Sequence, residues 1–223
     1  MPDRRQFLGT LAVAGAATIA KTSRLGASTS GTEPPLTPSQ QKWDLTWLEQ
    51  VKAKQHKQVF DMGVVDMNGV SPLHFPFFWL NAQHEVYGSS DAQLAAVVGI
   101  AGNTFPMDFN DALWSKYGLG EKWNITDAST KAPSKRNVYA DPAATGMAAN
   151  WTIPALQKRG VIFWMCNNAL TIISGMMADA TSQPHDAVYN EFKAGLLPGV
   201  KLVPSHTMML TAAQEHGCAY QRV

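Results

Sequence analysis

The chain has 223 residues, of which 45% are hydrophobic and 16% are charged, and its formal net charge at pH 7 is +1. This composition is typical of one globular domain with additional segments. The 18 basic residues are balanced by 17 acidic ones and form no basic run, so nothing in the sequence indicates nucleic-acid binding. The chain contains two cysteines, Cys166 and Cys218, which excludes a disulfide framework.

Residues 1–27 have the pattern of a twin-arginine export signal. The pair Arg4-Arg5 precedes a weakly apolar segment, residues 7–20, and further basic residues follow it. The segment is shorter than the roughly 20 apolar residues that a membrane-spanning helix needs, so we expect no span in the mature chain. We therefore expect a periplasmic protein whose signal is either cleaved after Ala27 or retained as an anchor. The alternative is a frayed helix with a chance arginine pair.

Residues 28–56 are predicted to be a linker followed by an N-terminal extension. Residues 28–42 are rich in small polar residues and proline and show no core-forming pattern. Apolar positions recur with helical spacing in residues 43–57, which predicts a helix that packs on the domain. The domain itself is predicted to extend over residues 57–223.

Within the domain, apolar runs typical of strands alternate with segments of helical periodicity. The predicted strands lie at residues 59–65, 94–101, 161–166, 200–203 and 218–223. The predicted helices lie at residues 75–86, 108–117, 152–159, 169–180, 186–197 and 206–216. Thr152 and Ser205 are predicted to cap the helices that start beside them. This alternation predicts a five-stranded parallel sheet between layers of helices.

Two features modify this pattern. Asp61 predicts that the first strand is less buried than the strand that ends in Cys166. Residues 119–150 form a long insert of low periodicity, and segments of this length in compact domains are usually functional lids or covers.

Cys166 follows an apolar run, residues 161–165, that is typical of a strand buried on both faces. Asn167 or Asn168 is predicted to cap the next helix, because an asparagine oxygen accepts a free backbone N–H. Cys166 should therefore lie at the carboxyl end of a parallel strand and at the start of a helix, where α/β sheets bind ligands. Free N–H groups and the helix dipole would stabilise a thiolate there. Such a thiolate attacks sulfur, carries a persulfide or binds a soft metal.

The other loops at this edge of the sheet supply candidate pocket residues. Carboxyl ends of parallel strands meet at one edge, which should bring loops 66–76, 102–106 and 204–206 close to Cys166. The residues expected to shape a ligand pocket around the cysteine are Asn167, Asn168, Ser205, His206, His74 and Asn103. Of these, His74 would also tune the thiolate.

Several alternatives remain open or are excluded. Cys166 could be a buried structural residue, as free cysteines commonly are. A metal site would need Cys166, His206 and His74 from three separate loops, and no short-spaced ligand pair supports it. The sequence contains no phosphate-binding glycine motif and no nucleophile elbow for acyl transfer. A bond between Cys166 and Cys218 is not expected, because they lie at opposite ends of parallel strands.

Three segments resemble the DsrE/DsrF-like family, and most closely its exported subgroup with a twin-arginine signal. They are Cys-Asn-Asn-Ala-Leu at 166–170, Leu-Leu-Pro-Gly-Val-Lys-Leu-Val-Pro-Ser at 196–205, and Ala-Gln-Glu-His-Gly-Cys-Ala-Tyr at 213–220. The resemblance covers about residues 57–223 and is best over 160–223. It implies a three-layer α/β/α, flavodoxin-like fold with a five-stranded parallel sheet, and often a homo-oligomer.

The resemblance also implies a function. Members of DsrE type carry sulfur as a persulfide on a cysteine and act with partner sulfurtransferases, and Cys166 matches that cysteine. The expectation is therefore a periplasmic sulfur carrier, or a binder of small thiol-reactive ligands, with a sulfur-donor or acceptor protein as partner and no cofactor. The alternatives are a non-catalytic binding or assembly module and a Cys/His metal-binding protein.

Overall fold

The computed structural model describes residues 43–223, so the predicted export signal and the predicted linker at 28–42 lie outside the described residues. Five strands form one sheet in the order β4-β3-β2-β1-β5, and every pairing is parallel. The strands are β1 (His56–Asp61), β2 (Leu94–Ile100), β3 (Ile162–Cys166), β4 (Lys201–Val203) and β5 (Ala219–Arg222). With helices on both faces, this is a three-layer α/β/α, flavodoxin-like fold, and the predicted fold class is confirmed.

The predicted helices all form, in the predicted order and with shifted ends, and one further short α-helix lies within the insert, where none was predicted. They are α1 (Trp47–Lys52), α2 (His74–Tyr87), α3 (Asp111–Tyr117), α4 (Leu119–Lys122), α5 (Ile153–Lys158), α6 (Asn167–Thr181), α7 (His185–Ala194) and α8 (His206–Glu215). The first helix is shorter than predicted, because the chain already pairs with β2 from His56 onward. As predicted, Thr152 caps α5 by accepting from Ala155 N–H. None of the helices within residues 43–223 is both long and apolar enough to cross a membrane.

The sheet has a buried apolar cluster on each face. Phe60, Val98 and Phe163 belong to the first cluster, together with buried residues of α2 to α7. Val59 and Trp164 belong to the second, which α1 and α8 cover. Alternate strand residues point to opposite faces, so both clusters are filled from the same strands. This explains why the central strands are continuous apolar runs instead of alternating ones.

The helices that follow β3 and β4 pack on opposite faces of the sheet. After β3 it enters α6, whose Leu170 lies in the first cluster. After β4 it enters α8, whose Met209 lies in the second cluster. In parallel sheets, a crevice opens at the carboxyl ends of two neighbouring strands whose connections leave on opposite faces. Cys166 and the Ser205-His206 segment lie at this point.

The long insert packs on loops at the carboxyl edge of the sheet. Asn137 donates hydrogen bonds to the carbonyls of Met107 and Phe109, which follow β2. The Tyr139 hydroxyl donates to the carbonyl of Val65, which follows β1. The insert therefore ties together the loops that follow β1 and β2.

Asp108, which ends a 3-10 segment after β2, is fully buried, and neither of its carboxylate oxygens has a hydrogen-bond partner among the described residues. Burial raises the pKa of this carboxyl well above its ordinary value. A raised folded-state pKa gives stability that is present at low pH and is lost as the pH rises through that pKa. At neutral pH, Asp108→Asn should therefore raise the free energy of unfolding by about 1–3 kcal/mol.

Urea unfolding at a series of pH values tests this prediction. The difference between Asp108→Asn and wild type should disappear below pH 3.8, the ordinary aspartate pKa. Asp179→Asn is the matched control, because Asp179 is exposed on α6. If the unfolding free energies of wild type and Asp108→Asn differed by the same amount at every pH, the prediction would be wrong.

Candidate functional site

Cys166 is the last residue of β3, and its side chain caps α6. The Sγ atom accepts hydrogen bonds from the backbone N–H groups of Ala169, at 3.5 Å, and His206, at 3.3 Å. The prediction that Asn167 or Asn168 caps this helix is wrong. Both asparagines already lie inside α6, because the sulfur at the end of the strand reaches the free N–H of the first turn.

Backbone N–H groups of two helices point at the Cys166 sulfur. Sγ lies at the N-terminus of a 15-residue helix and receives N–H donors from two different elements. Reactive cysteines often lie at helix N-termini, so this position suits a nucleophilic sulfur. The side chain is nevertheless buried, with 5% of the residue exposed, so only a small part of its surface meets solvent.

Cys218 provides a contrast within the same chain. Both cysteines are free thiols, but Cys218 lies just before β5, at the amino edge of the sheet. Burial raises the pKa of the Cys218 thiol to about 11, and Lys57 offsets this only in part. Cys218 is therefore a poor nucleophile near neutral pH.

The ring of His206 is engaged away from the sulfur. Its Nδ1 accepts a hydrogen bond from the indole N–H of Trp164 at 3.2 Å. Its Nε2 lies 2.8 Å from Oδ1 of Asp61. Because Nδ1 is an acceptor, the proton of the neutral ring is on Nε2 and is donated to Asp61. His206 thus acts on Cys166 through its backbone N–H.

Asp61, at the end of β1, is the centre of this arrangement. Its carboxylate also accepts from the Tyr220 hydroxyl at 2.7 Å and forms an ion pair with Arg222 at 2.6 Å. Burial opposes ionisation, but the bonds from Tyr220, Arg222 and His206 outweigh it and lower the pKa of Asp61. We call this set the Asp61 network; its members are Asp61, Trp164, His206, Tyr220 and Arg222.

As predicted, β1 is less buried than β3, because its first three residues are only partly buried, but Asp61 is not the cause. Asp61 is only 4% exposed, and Val59 and Phe60 before it are fully buried. A buried carboxylate is tolerated when charged and polar partners satisfy its oxygens, as they do here. Sequence reasoning therefore missed Asp61 as a site residue, and its position at a strand end was the available signal.

Gly99 leaves the space that the Asp61 network occupies. The sheet register places Asp61 beside Gly99 and Gly99 beside Trp164. A Cβ atom on Gly99 would lie 2.5 Å from Cζ2 of Trp164 and 2.8 Å from Cε1 of His206. The missing side chain in β2 thus lets the imidazole reach across the sheet from β4 to β1.

The remaining predicted pocket residues are distributed more widely. Asn167 accepts a hydrogen bond from the Tyr189 hydroxyl, whereas Asn168 and Asn103 are exposed. Ser205 occupies the N-cap position of α8, as predicted, but its hydroxyl pairs with that of Thr207 instead of with the helix backbone.

His74 lies in an aromatic cluster. Its Nδ1 is 2.7 Å from the carbonyl of Ser71, and its ring contacts Phe75, Phe78 and Trp151. Within residues 43–223, no hydrogen bond or ring contact joins His74 to Cys166. The structure therefore places Cys166, Ser205 and His206 together, whereas His74 belongs to a different set of contacts.

The described residues do not assemble a metal site. In that part of the chain, no three His, Cys, Asp or Glu side chains are arranged so that they could hold a metal ion. The candidate set of Cys166, His206 and His74 is not formed, since both ring nitrogens of His206 bind within the Asp61 network. A Cys/His metal centre has no support in this arrangement.

No protein-family model and no curated protein matches the chain. A solved structure with some similarity is that of a protein of unknown function, MTH1491, from Methanobacterium thermoautotrophicum. It is 16% identical, the match covers 76% of this chain and 100% of that one, and the TM-score is 0.36. A likeness of this extent carries no argument about what the chain does.

Proposed function

We propose that this chain is a periplasmic, DsrE-like sulfur carrier in which Cys166 holds sulfur as a persulfide. The observation that carries the proposal is the position of Cys166 Sγ at the point where the chain changes faces, with two backbone N–H donors on it. A thiolate is the nucleophile in sulfur exchange, and these N–H groups donate to the sulfur atom that would carry its charge. The family resemblance of residues 160–223 supports sulfur as the cargo, and the twin-arginine pattern supports export.

The transfer step needs no cofactor. The Cys166 thiolate attacks the outer sulfur of a donor persulfide or polysulfide, and a new bond forms between Sγ and that sulfur. The donor S–S bond breaks at the same time, and its electron pair leaves with the donor thiolate. In the reverse role, an acceptor thiolate attacks the outer sulfur on Cys166 and releases the Cys166 thiolate.

The residues around Cys166 would then have distinct roles. The N–H of His206 stabilises negative charge on Sγ, and the Asp61 network holds His206 in place. We propose that Asn167, Asn168 and Ser205 shape the approach to the sulfur. We further propose that a protein donates or accepts the sulfur and that the chain assembles as a homo-oligomer.

Incubation with inorganic polysulfide, followed by intact-mass spectrometry, tests the proposal. We expect a mass increase of one sulfur atom on Cys166, removed by a thiol reductant. Cys166→Ser should not gain this mass, whereas Cys218→Ser should gain it as wild type does. Serine can also accept the N–H of Ala169, so loss of the helix cap does not confound the result. An unmodified wild-type protein, or an adduct on Cys218, would exclude the carrier role.

The second candidate function is a non-catalytic binding or assembly module with a structural Cys166. The observation that favours it is the low exposure of Cys166, 5%, together with its role as a helix cap. Thiol labelling of the folded Cys218→Ser variant separates the two functions. Labelling that rises with pH in the folded protein supports the carrier, and labelling only after unfolding supports the structural role.

A further inference from the structure

A cavity of about 350 Å³ lies at the amino ends of β2 and β3, at the opposite edge of the sheet from Cys166. Its walls are the end of α1, the turn that precedes β2 and the end of α5. A cavity of this volume is large enough to hold a small molecule. The cavity shares no residue with the Asp61 network, so it is independent of the proposed sulfur chemistry.

The cavity is built on a fixed wall. Arg159 forms a two-pronged contact with Asp91, with both N···O distances at 3.0 Å, and its third nitrogen donates to Asn81 at 2.9 Å. Planar guanidinium–carboxylate pairs of this kind hold their geometry well. Small residues, Ala92 and Ala95, lie where larger side chains would fill the space.

The charge of the lining is unbalanced. Lys54, Lys158 and Arg159 line the cavity, and Asp91 is the carboxylate that faces them among the described lining residues. Since Arg159 and Asp91 satisfy each other, the two lysines are left without an acidic partner in the lining. The ammonium of Lys54 donates to the carbonyl of Ala92 at 2.6 Å, which fixes it at the wall with two further N–H groups available.

An apolar floor lies beside these lysines. Val51, Ala95 and Ile162 line the cavity. Val51 and Ala95 belong to the apolar cluster that α1 and α8 cover, and Ile162 packs against that cluster. A ligand that satisfies both parts needs one negative group and a short apolar body. We propose that this cavity binds a small organic anion, with its charged group between Lys54 and Lys158 and its apolar part on this floor.

Calorimetric titration with three probes tests the proposal on the full chain. Hexanoate has both features, hexanol has the apolar body alone, and inorganic sulfate has the charge alone. We expect hexanoate to bind at least about tenfold more tightly than either of the others, because each lacks one of the two contacts. Its affinity should fall as salt is added, since these charges are partly exposed to solvent.

Variants locate the binding. Lys158→Gln and Lys54→Gln should each weaken hexanoate binding roughly three- to tenfold. The exposed Lys135, on the distant insert, supplies the control, and Lys135→Gln should bind as wild type does. Cys166→Ser should also bind normally, which separates this site from the sulfur chemistry.

Three results would overturn the proposal. They are no binding of hexanoate, equal binding of hexanol and hexanoate, and unchanged affinity in both cavity lysine variants. In each of these cases the lysines would serve only to offset the carbonyl groups at the ends of α1 and α5.

Discussion

Gly99→Ala should destabilise the domain by about 3 kcal/mol, because the added methyl group overlaps two aromatic rings in a packed region. The nearest atoms, Cζ2 of Trp164 and Cε1 of His206, would lie 2.5 Å and 2.8 Å from the new Cβ. Neither ring can withdraw easily, since Trp164 is fully buried and His206 is bonded at both nitrogens. The change in unfolding free energy can be measured with urea.

The chain offers a matched control for this substitution. A Cβ on Gly175, within α6, would meet His185 at no less than 3.5 Å, an ordinary contact. Gly175→Ala should therefore stabilise the protein by roughly 0.5–1 kcal/mol, as expected for alanine replacing glycine inside a helix. Gly99→Ala should also move the His206 N–H off Cys166 and so change the pH profile of Cys166 labelling. Equal stability of the two variants would show that Gly99 does not set the position of the rings.

Asp61→Asn should lower the free energy of unfolding by about 2–3 kcal/mol at neutral pH, because the amide removes the charge that satisfies buried partners. This value allows for Arg222, whose side chain is 58% exposed and finds water when the carboxylate is lost. The shape of the residue is retained, so the change reports on charge and hydrogen bonding. Asp179→Asn, on an exposed residue of α6, should change stability by less than about 0.5 kcal/mol.

The effect of Asp61→Asn should depend on pH in a defined direction. The folded-state pKa of Asp61 lies below the ordinary value of 3.8. A lowered pKa gives stability that is present above the ordinary pKa and is lost as the pH falls through the folded-state pKa. Wild type and Asp61→Asn should therefore differ most at neutral pH and converge in acid. A difference that persists unchanged to low pH would contradict this assignment of charge.

Local patterns in the sequence predicted much of the fold. Apolar runs and helical periodicity located the strands and helices, and Thr152 was identified as a cap from its position alone. Helix ends were less accurate where tertiary pairing decides them. The chain enters β1 at His56, inside the span predicted as a helix, because that segment pairs with β2.

The candidate site was predicted only in part. The position of Cys166 at a strand end followed from residues next to it in the chain. The Asp61 network did not, because Asp61 binds His206 and Tyr220 across 145 and 159 residues of sequence. No local pattern carries information about contacts of that range. The order of the strands also depends on contacts between residues far apart in the sequence, and it places Cys166 and His206 at the same crevice.

The edge strand β5 has an influence that extends across the sheet. It is short, largely exposed and paired on one side with β1, so within the domain it should be among the first segments to open and exchange its amide protons. Opening β5 removes Tyr220 and Arg222 from Asp61, which in turn loosens His206 and its N–H on the sulfur. Transient opening of this edge strand would therefore change the reactivity of Cys166, which lies on β3, three strands away.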